Sequence, residues 1–397
     1  MSELVLYRKY RPRSFAEFVG QEHVVKTLTN ALALEKVAHA YLFAGPRGIG
    51  KTTIARIFAK AVNCGLRQQP TTNNQQPTKK ELEVGGGKLE VSSSFEPCNK
   101  CSACLEIGAG RSLDLIEIDA ASNRGIDEIR ELRDGIKFSP TRLKYKVFII
   151  DEVHQLTKEA FNALLKTLEE PPSHALFILA TTELHKVPET IVSRCQHFNF
   201  YKLTIGKIVE RLAQIAKLEG IKIEKQALDL IALNADGAMR DAESLLGQIM
   251  AMSIGRDKNI TLEEVKTLLG TVDASAVVEM INYLAVKDMQ KAITFVNKIS
   301  AEGYDLGQFA KSLTSYLRKT MILKVDAEMA ELAAPELTEE QRKIILEHGQ
   351  KFSYEELNKL IRLFIRAEYE IKSAVFPQLP LELVIVEVAD IKANDAK

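Results

Sequence analysis

The chain has 397 residues, too many for one ordinary hydrophobic core, so roughly two or three domains at ~150 residues each are expected. Lysine plus arginine and aspartate plus glutamate both number 53, a formal net charge of +0, which excludes a bulk nucleic-acid coat and confines any DNA contact to a local patch. Clustered cysteines exclude a disulfide framework, and there is neither a signal-peptide core in Met1 to Phe15 nor a run near the ~18 apolar residues of a bilayer span, so a cytoplasmic protein with no membrane segment is expected.

In chain order, the apolar run Tyr41-Leu42-Phe43-Ala44 reads as a strand leading into Gly45-Pro46-Arg47-Gly48-Ile49-Gly50-Lys51-Thr52-Thr53. That stretch fits G-x-x-x-x-G-K-[ST], in which glycines let the backbone curl so that successive N–H groups face a β-phosphate. The following helix adds its positive N-terminal end. In such a loop Lys51 reaches the β- and γ-phosphates of ATP, and the Thr52 hydroxyl sits on Mg2+. Ile54, Ile57, Phe58, Ala61 and Val62 then recur with helical spacing, one face turned to a sheet.

Cys64 ends that segment, and Cys98-x-x-Cys101-x-x-Cys104 comes after an interval. Four thiols close a tetrahedral Zn2+ site with no open position, so the site reads as structural. The same spacing also opens a ferredoxin run, but Leu105 and the residues after it lack the further cysteine and proline of an iron–sulfur motif. Cys195 stands alone and reads as a small buried residue. From Gln68 to Lys80 the sequence is polar and of low complexity, which predicts a mobile surface loop without chemistry.

Asp114 to Asp119 reads as a strand, and Ile126, Ile129, Leu132 and Ile136 space out as a helix. Lys146-Val147-Phe148-Ile149-Ile150 is a strand apolar enough to be buried on both faces, and it delivers Asp151 and Glu152 at its C-terminal end, where open α/β sheets bind ligands. As a Walker-B strand it places Asp151 in the Mg2+ shell and Glu152 against the attacking water, which makes hydrolysis the expected outcome and not binding alone. Phe161, Leu164, Leu165 and Leu168 form a further helix stopped by Pro171-Pro172. Ala175 to Ala180 is the next strand, ending in Thr181-Thr182, which lie beside the Walker-B end if the two strands are neighbours. From Ile205 to about Gly255 the chain reads as a small helical lid, with faces Ile208, Leu212, Ile215, Leu218 and Ala227, Leu228, Ile231, Ala232. Beyond Leu268 more helices are expected, marked by Val277, Val278, Met280, Ile281, Leu284, then Phe309, Leu313, Tyr316, Leu317, then Leu357, Leu360, Ile361, Phe364, Ile365.

Tyr7-Arg8-Lys9-Tyr10-Arg11-Pro12, Val19-Gly20-Gln21, the phosphate loop, the four cysteines, Asp151-Glu152-Val153-His154, the run Asn162 to Pro172, Ala180-Thr181-Thr182, Ser193-Arg194-Cys195 and Gly237-Ala238-Met239-Arg240-Asp241-Ala242 together resemble the gamma/tau subunits of bacterial DNA polymerase III. Those proteins are the AAA+ ATPases of the sliding-clamp loader. The resemblance runs in order through nearly all of residues 1 to 260 and is weaker beyond. It implies an α/β P-loop NTPase fold with an AAA+ parallel sheet at 1–204, carrying a zinc-binding insert at 64–104. A helical lid at 205–267 and an all-α C-terminal collar at 268–397 complete the implied organisation.

The same resemblance makes Arg194 an arginine finger that reaches the γ-phosphate held by a neighbouring subunit. A finger of that kind is worth ~10³ to 10⁵ in rate, whereas a plain surface salt bridge at Arg194 is worth ~0 to 1 kcal/mol. It makes Arg240 the lid arginine and Thr182 the first sensor, with Thr181 as the fallback, and it packs Tyr7, Arg8 and Arg11 around adenine and phosphates. Implied partners are delta, delta-prime and further gamma/tau copies in a pentameric ring, the sliding clamp, and primed duplex DNA held through its phosphates. Arg124 and Lys158 are candidates for the last. Longer tau forms continue into helicase- and polymerase-binding segments, whereas this chain stops at Lys397 after a polar tail, so helicase coupling is not expected of these residues. Two other readings stand beside this one. A delta-prime-like organiser does not hydrolyse ATP and lacks a working phosphate loop, and a branch-migration helicase needs neither the four cysteines nor the collar.

Overall fold

The computed structural model of the chain describes residues 5–68, 79–84, 87–92, 95–123, 135–252, 259–269, 274–326 and 339–389. Two units divide the chain, Met1–Ile260 and Thr261–Lys397. In the first, the apolar run before the phosphate loop makes β1 (Ala40–Ala44), buried along its whole length. Next come β2 (Lys79–Val84) and β3 (Gly87–Ser92), an antiparallel pair with Lys79 opposite Ser92 and Val84 opposite Gly87. Lys79 and Lys80 therefore belong to a strand and not to the expected loop. Residues 69–78 of the low-complexity tract lie outside the described residues.

β4 (Leu115–Asp119), β5 (Lys146–Asp151), β6 (Ala175–Thr181) and β7 (Gln196–Asn199) join β1 in one parallel sheet of order β4-β5-β6-β1-β7. Side chains alternate across it. Tyr41, Phe43, Val147, Ile149, Leu176 and Ile178 pack with Leu28, Ile54, Ile57 and Phe58 from helices Glu22–Ala33 and Lys51–Val62. Leu42, Phe148, Ile150, Phe177 and Leu179 pack with Phe161, Leu164 and Leu168 from helix Lys158–Glu169 on the other face. Covering on both faces explains why these strands read as unbroken apolar runs. Each fully buried Ile or Phe in those layers contributes about 1.5–3 kcal/mol relative to exposure. Neither the Glu22–Ala33 helix nor β7 was expected from sequence. Ile126, Ile129 and Leu132 of the anticipated helix lie outside the described residues, and Ile136 is buried.

The same unit continues with helices Ile205–Leu218, Lys225–Asn234 and Met239–Met252 and the short parallel pair β8 (Lys222–Ile223) and β9 (Asn259–Ile260). Ile208, Leu212, Ile215, Ala227, Leu228, Ile231 and Ala232 are buried as expected. Leu218 is not. It is 69% exposed because its helix ends there, and Ala216 fills the buried position in that last turn.

In the second unit, helix Leu306–Val325 packs Phe309, Leu313 and Leu317 with Leu357, Leu360 and Phe364 of helix Tyr354–Ile371, and with Met280 and Ile281 of helix Ala274–Val286. Val278 is only half-buried and Ile365 is exposed, each lying at the edge of its helix's buried stripe. Helices Leu262–Leu269, Met289–Ala301, Glu339–Lys351 and Leu379–Ala389 complete this all-α unit. No helix among the described residues is long and apolar enough to cross a membrane.

Candidate nucleotide-binding and metal sites

The phosphate loop spans Gly45 to Gly50 between β1 and the helix that starts at Lys51. Its backbone turns through positive φ at Gly48 (+79°) and Gly50 (+99°), a region where a side chain is strained. The Gly45 N–H donates to the Thr181 carbonyl at 3.1 Å, fixing the loop's start to the end of β6. Lys51 is buried and its ammonium donates to the carbonyls of Gly45 (2.6 Å) and Pro46 (2.8 Å). Burial lowers its pKa from the ordinary lysine value against the pull of Glu152 and Asp151. Pro46 and Arg47 are exposed at the crest, Ile49 anchors the loop in the core, and Thr53 lies in the first helical turn.

Because β6 separates β5 from β1, the ends of the three strands converge. The Thr52 hydroxyl donates to Asp151 Oδ2 at 2.6 Å, bringing together the two side chains expected to share Mg2+. The Glu152 N–H donates to Asp151 Oδ1 at 3.0 Å. Glu152 itself takes the left-handed conformation (φ 49°), uncommon for a non-glycine residue and a form of strain that clusters at functional sites. The Thr182 hydroxyl donates to Glu152 Oε2 at 3.0 Å, whereas the buried Thr181 hydroxyl accepts from the Glu183 N–H and contacts His154. Of the two sensor candidates, Thr182 is the one that touches Glu152, the acid expected to activate water.

The lid meets the loop at Gly48. Its carbonyl accepts the Arg240 N–H at 3.2 Å, and a Cβ built on Gly48 would lie 2.9 Å from Ala238 Cβ, so only glycine permits this approach. The Arg240 guanidinium sits 4.8 Å from the Tyr7 ring centroid, with Arg8 at 5.8 Å from the same ring. Arg240, followed by Arg8, lowers the Tyr7 pKa through hydrogen bonding. Arg11 reaches Thr53 Oγ1 at 3.3 Å. Tyr7, Arg8, Arg11 and Arg240 thus gather beside the loop. Arg194 does not join them. It donates to the Thr190 carbonyl (2.7 Å) and pairs with Glu169 (2.7 Å). Lys158 is exposed at the start of its helix, where Thr157 caps the Ala160 N–H, and Arg124 lies outside the described residues.

The sulfurs of Cys64, Cys98, Cys101 and Cys104 all lie within 4.8 Å of one another, although Cys64 is remote in sequence. Burial pushes the Cys98 thiol up, but the N–H groups of Lys100 and Cys101 and the neighbouring thiols outweigh it and bring it down to about 6. Burial pushes the Cys64 and Cys104 thiols up, and the donor set, four sulfurs within reach of one ion, fits zinc. Lys60, buried at the end of the phosphate-loop helix, donates to Asn99 Oδ1 (2.7 Å) and the Arg13 carbonyl (2.5 Å), linking this module to the N-terminal segment. Cys195 is half-buried, and burial pushes its thiol up to about 12.

Comparison with known proteins places these features in a family. Residues 20–85 and 89–204 match the family described as DNA polymerase III, delta subunit, and residues 207–255 match the DNA polymerase III clamp loader subunit ATPase lid domain. Residues 260–395 match DNA polymerase III subunits gamma and tau domain III. The subunit gamma of Buchnera aphidicola is 36% identical over 99% of this chain and 100% of its own length. This chain belongs to the DNA polymerase III gamma/tau family. The Bacillus subtilis subunit tau is 39% identical over 100% of this gamma/tau chain, which spans 65% of that relative's length. Among solved structures, the Thermotoga maritima RuvB Holliday junction branch migration motor aligns with 75% of this chain and 86% of its own at 19% identity and a TM-score of 0.45. The AAA+ fold class stands on the strand order and the lid, and the gamma/tau motifs fall on the loop, strand ends and cysteines described above. Sequence reasoning quoted His154 within a motif but gave it no role, and its side chain is only 3% exposed amid these groups. Its signal was its place in Asp151-Glu152-Val153-His154.

Proposed function

We propose that this chain is the ATP-hydrolysing motor subunit of the clamp loader, using ATP binding and hydrolysis to load a sliding clamp onto primed DNA in the cytoplasm. The observation that carries this reading is the division of the ATP machinery. Lys51, Thr52, Asp151, Glu152 and Thr182 converge on one strand-end pocket, while Arg194 is bound to Thr190 and Glu169 and, among the described residues, to no part of that pocket. A nucleotide gripped by Lys51, with Mg2+ on Thr52 and Asp151, would then receive Arg194 from an adjacent subunit, and Glu152 would polarise the attacking water. Because the pocket is complete only at an interface, nucleotide state and ring geometry are linked. ATP binding favours a spiral that fits an open clamp and primed duplex, and hydrolysis releases both.

The three-part organisation at 1–204, 205–267 and 268–397 belongs to this proposal, with zinc held structurally by Cys64, Cys98, Cys101 and Cys104. Delta, delta-prime and further copies of this chain are the proposed ring partners. Leu379, Leu383 and Val386 form an exposed stripe on the last helix beside exposed Val375 and Phe376, apolar surface of the kind a collar would cover. DNA would be held through phosphates, with Lys158 and Arg124 as candidate contacts. Reconstitution with the other loader subunits, clamp and primed circular DNA tests the reading. Lys51→Ala should abolish nucleotide binding. Arg194→Ala should leave binding intact and lower clamp- and DNA-stimulated turnover by ~10³-fold or more. Equal loss of binding in both variants, or ATP turnover without clamp loading, would refute it.

A further inference from the structure

His154 lies two positions past the Walker-B acid and has no role in the mechanism above. Its imidazole is sealed from solvent, with 3% of the side chain exposed, yet it faces polar groups on both ring nitrogens. Nδ1 lies 3.0 Å from Thr181 Oγ1 and 3.4 Å from Glu152 Oε2. Nε2 lies 3.3 Å from Glu183 Oε1 and 3.0 Å from Gln155 Nε2. Glu183 Oε2 is in turn paired with Lys186 at 2.8 Å and lies 3.6 Å from His185 Nε2. A buried imidazole between two carboxylates from different turns is more than filling, because each contact fixes a ring orientation.

We infer that His154 is a positioning residue for Glu152. The imidazole braces the same carboxylate oxygen, Oε2, that accepts from Thr182, and Glu183 meets the ring at its other nitrogen. Thr181 closes the circuit, since its hydroxyl meets the ring while its carbonyl accepts the Gly45 N–H of the phosphate loop. The acid that activates water is thereby indexed to the loop that holds the phosphates. Misplacing such a group by about 1 Å can cost ~10²-fold in rate without touching substrate affinity.

The inference rests on the ATPase reading, so the test is run in the complete clamp-loader assembly with clamp and primed DNA. His154→Ala should lower kcat about 10-fold or more, with equilibrium binding of a fluorescent ATP analogue within about twofold of wild type. The Asn amide nitrogen falls where Nδ1 lies and the Gln amide nitrogen where Nε2 lies, so His154→Asn should recover most of kcat and His154→Gln less. Glu183→Gln, at a half-exposed site, should lower kcat with binding unchanged. Unchanged turnover in His154→Ala, a parallel fall in binding, or equal kcat in the Ala, Asn and Gln variants would overturn the role. Wild-type assembly that fails to hydrolyse ATP would instead overturn the reading beneath it.

Discussion

At Gly50 the chain passes from loop to helix with φ +99°, and a Cβ built there would lie 2.7 Å from the Phe18 ring. Two separate constraints, backbone chirality and an aromatic wall, exclude any side chain. Gly50→Ala should destabilise the first unit by about 1–3 kcal/mol and weaken ATP binding, since the helix start that faces the phosphates must shift. Thermal melting with and without ATP checks both. An Ala variant that melts and binds like wild type would contradict the strain argument. Glu152 takes the same left-handed region (φ 49°) at a residue whose carboxylate is assigned to the attacking water in the proposed mechanism.

Single helices carry their own chemistry. In helix Glu339–Lys351, His348 is buried with Nδ1 2.7 Å from the Tyr316 hydroxyl and Nε2 3.0 Å from Asn282 Oδ1. Burial, followed by the charge of Lys351 and against that of Glu347, pulls its pKa below the ordinary histidine value. The folded state therefore resists a proton that the unfolded chain accepts. The contribution of this group to stability is complete above the usual range near ~6.5 and is lost as pH falls through it. The melting temperature of the second unit should drop between about pH 7.5 and 5.5, and His348→Gln should flatten that slope. A slope unchanged in the variant would assign the effect elsewhere.

At the scale of the whole molecule, the cysteine module acts as a clasp on the nucleotide unit. Glu96 accepts the N–H groups of Phe15 and Ala16 at 2.8 Å each, and Lys60 bridges Asn99 to the Arg13 carbonyl. Loosening the four sulfurs would loosen the N-terminal segment that carries Arg11 and Phe18 to the phosphate loop. Metal analysis should find one zinc per chain. Chelation under mild conditions should lower the melting temperature of the first unit by several degrees. A mildly purified chain without zinc, equally stable, would refute the clasp.

The sequence alone determined the phosphate loop, the Walker-B end, the parallel sheet and the cysteine set, because local rules force them. A loop that turns through positive φ needs glycines at fixed spacing, and a strand covered on both faces needs an unbroken apolar run. It did not yield β7, the Glu22–Ala33 helix or the antiparallel pairing of β2 with β3. Short elements carry few periods of pattern, and Gln196-His197-Phe198-Asn199 buries only one side chain of its four. Tertiary structure decided that the Thr182 hydroxyl meets Glu152 while that of Thr181 meets His154, and that His154 stands between two acids. Each of those facts depends on which strand ends lie side by side, a long-range pairing that no local spacing encodes.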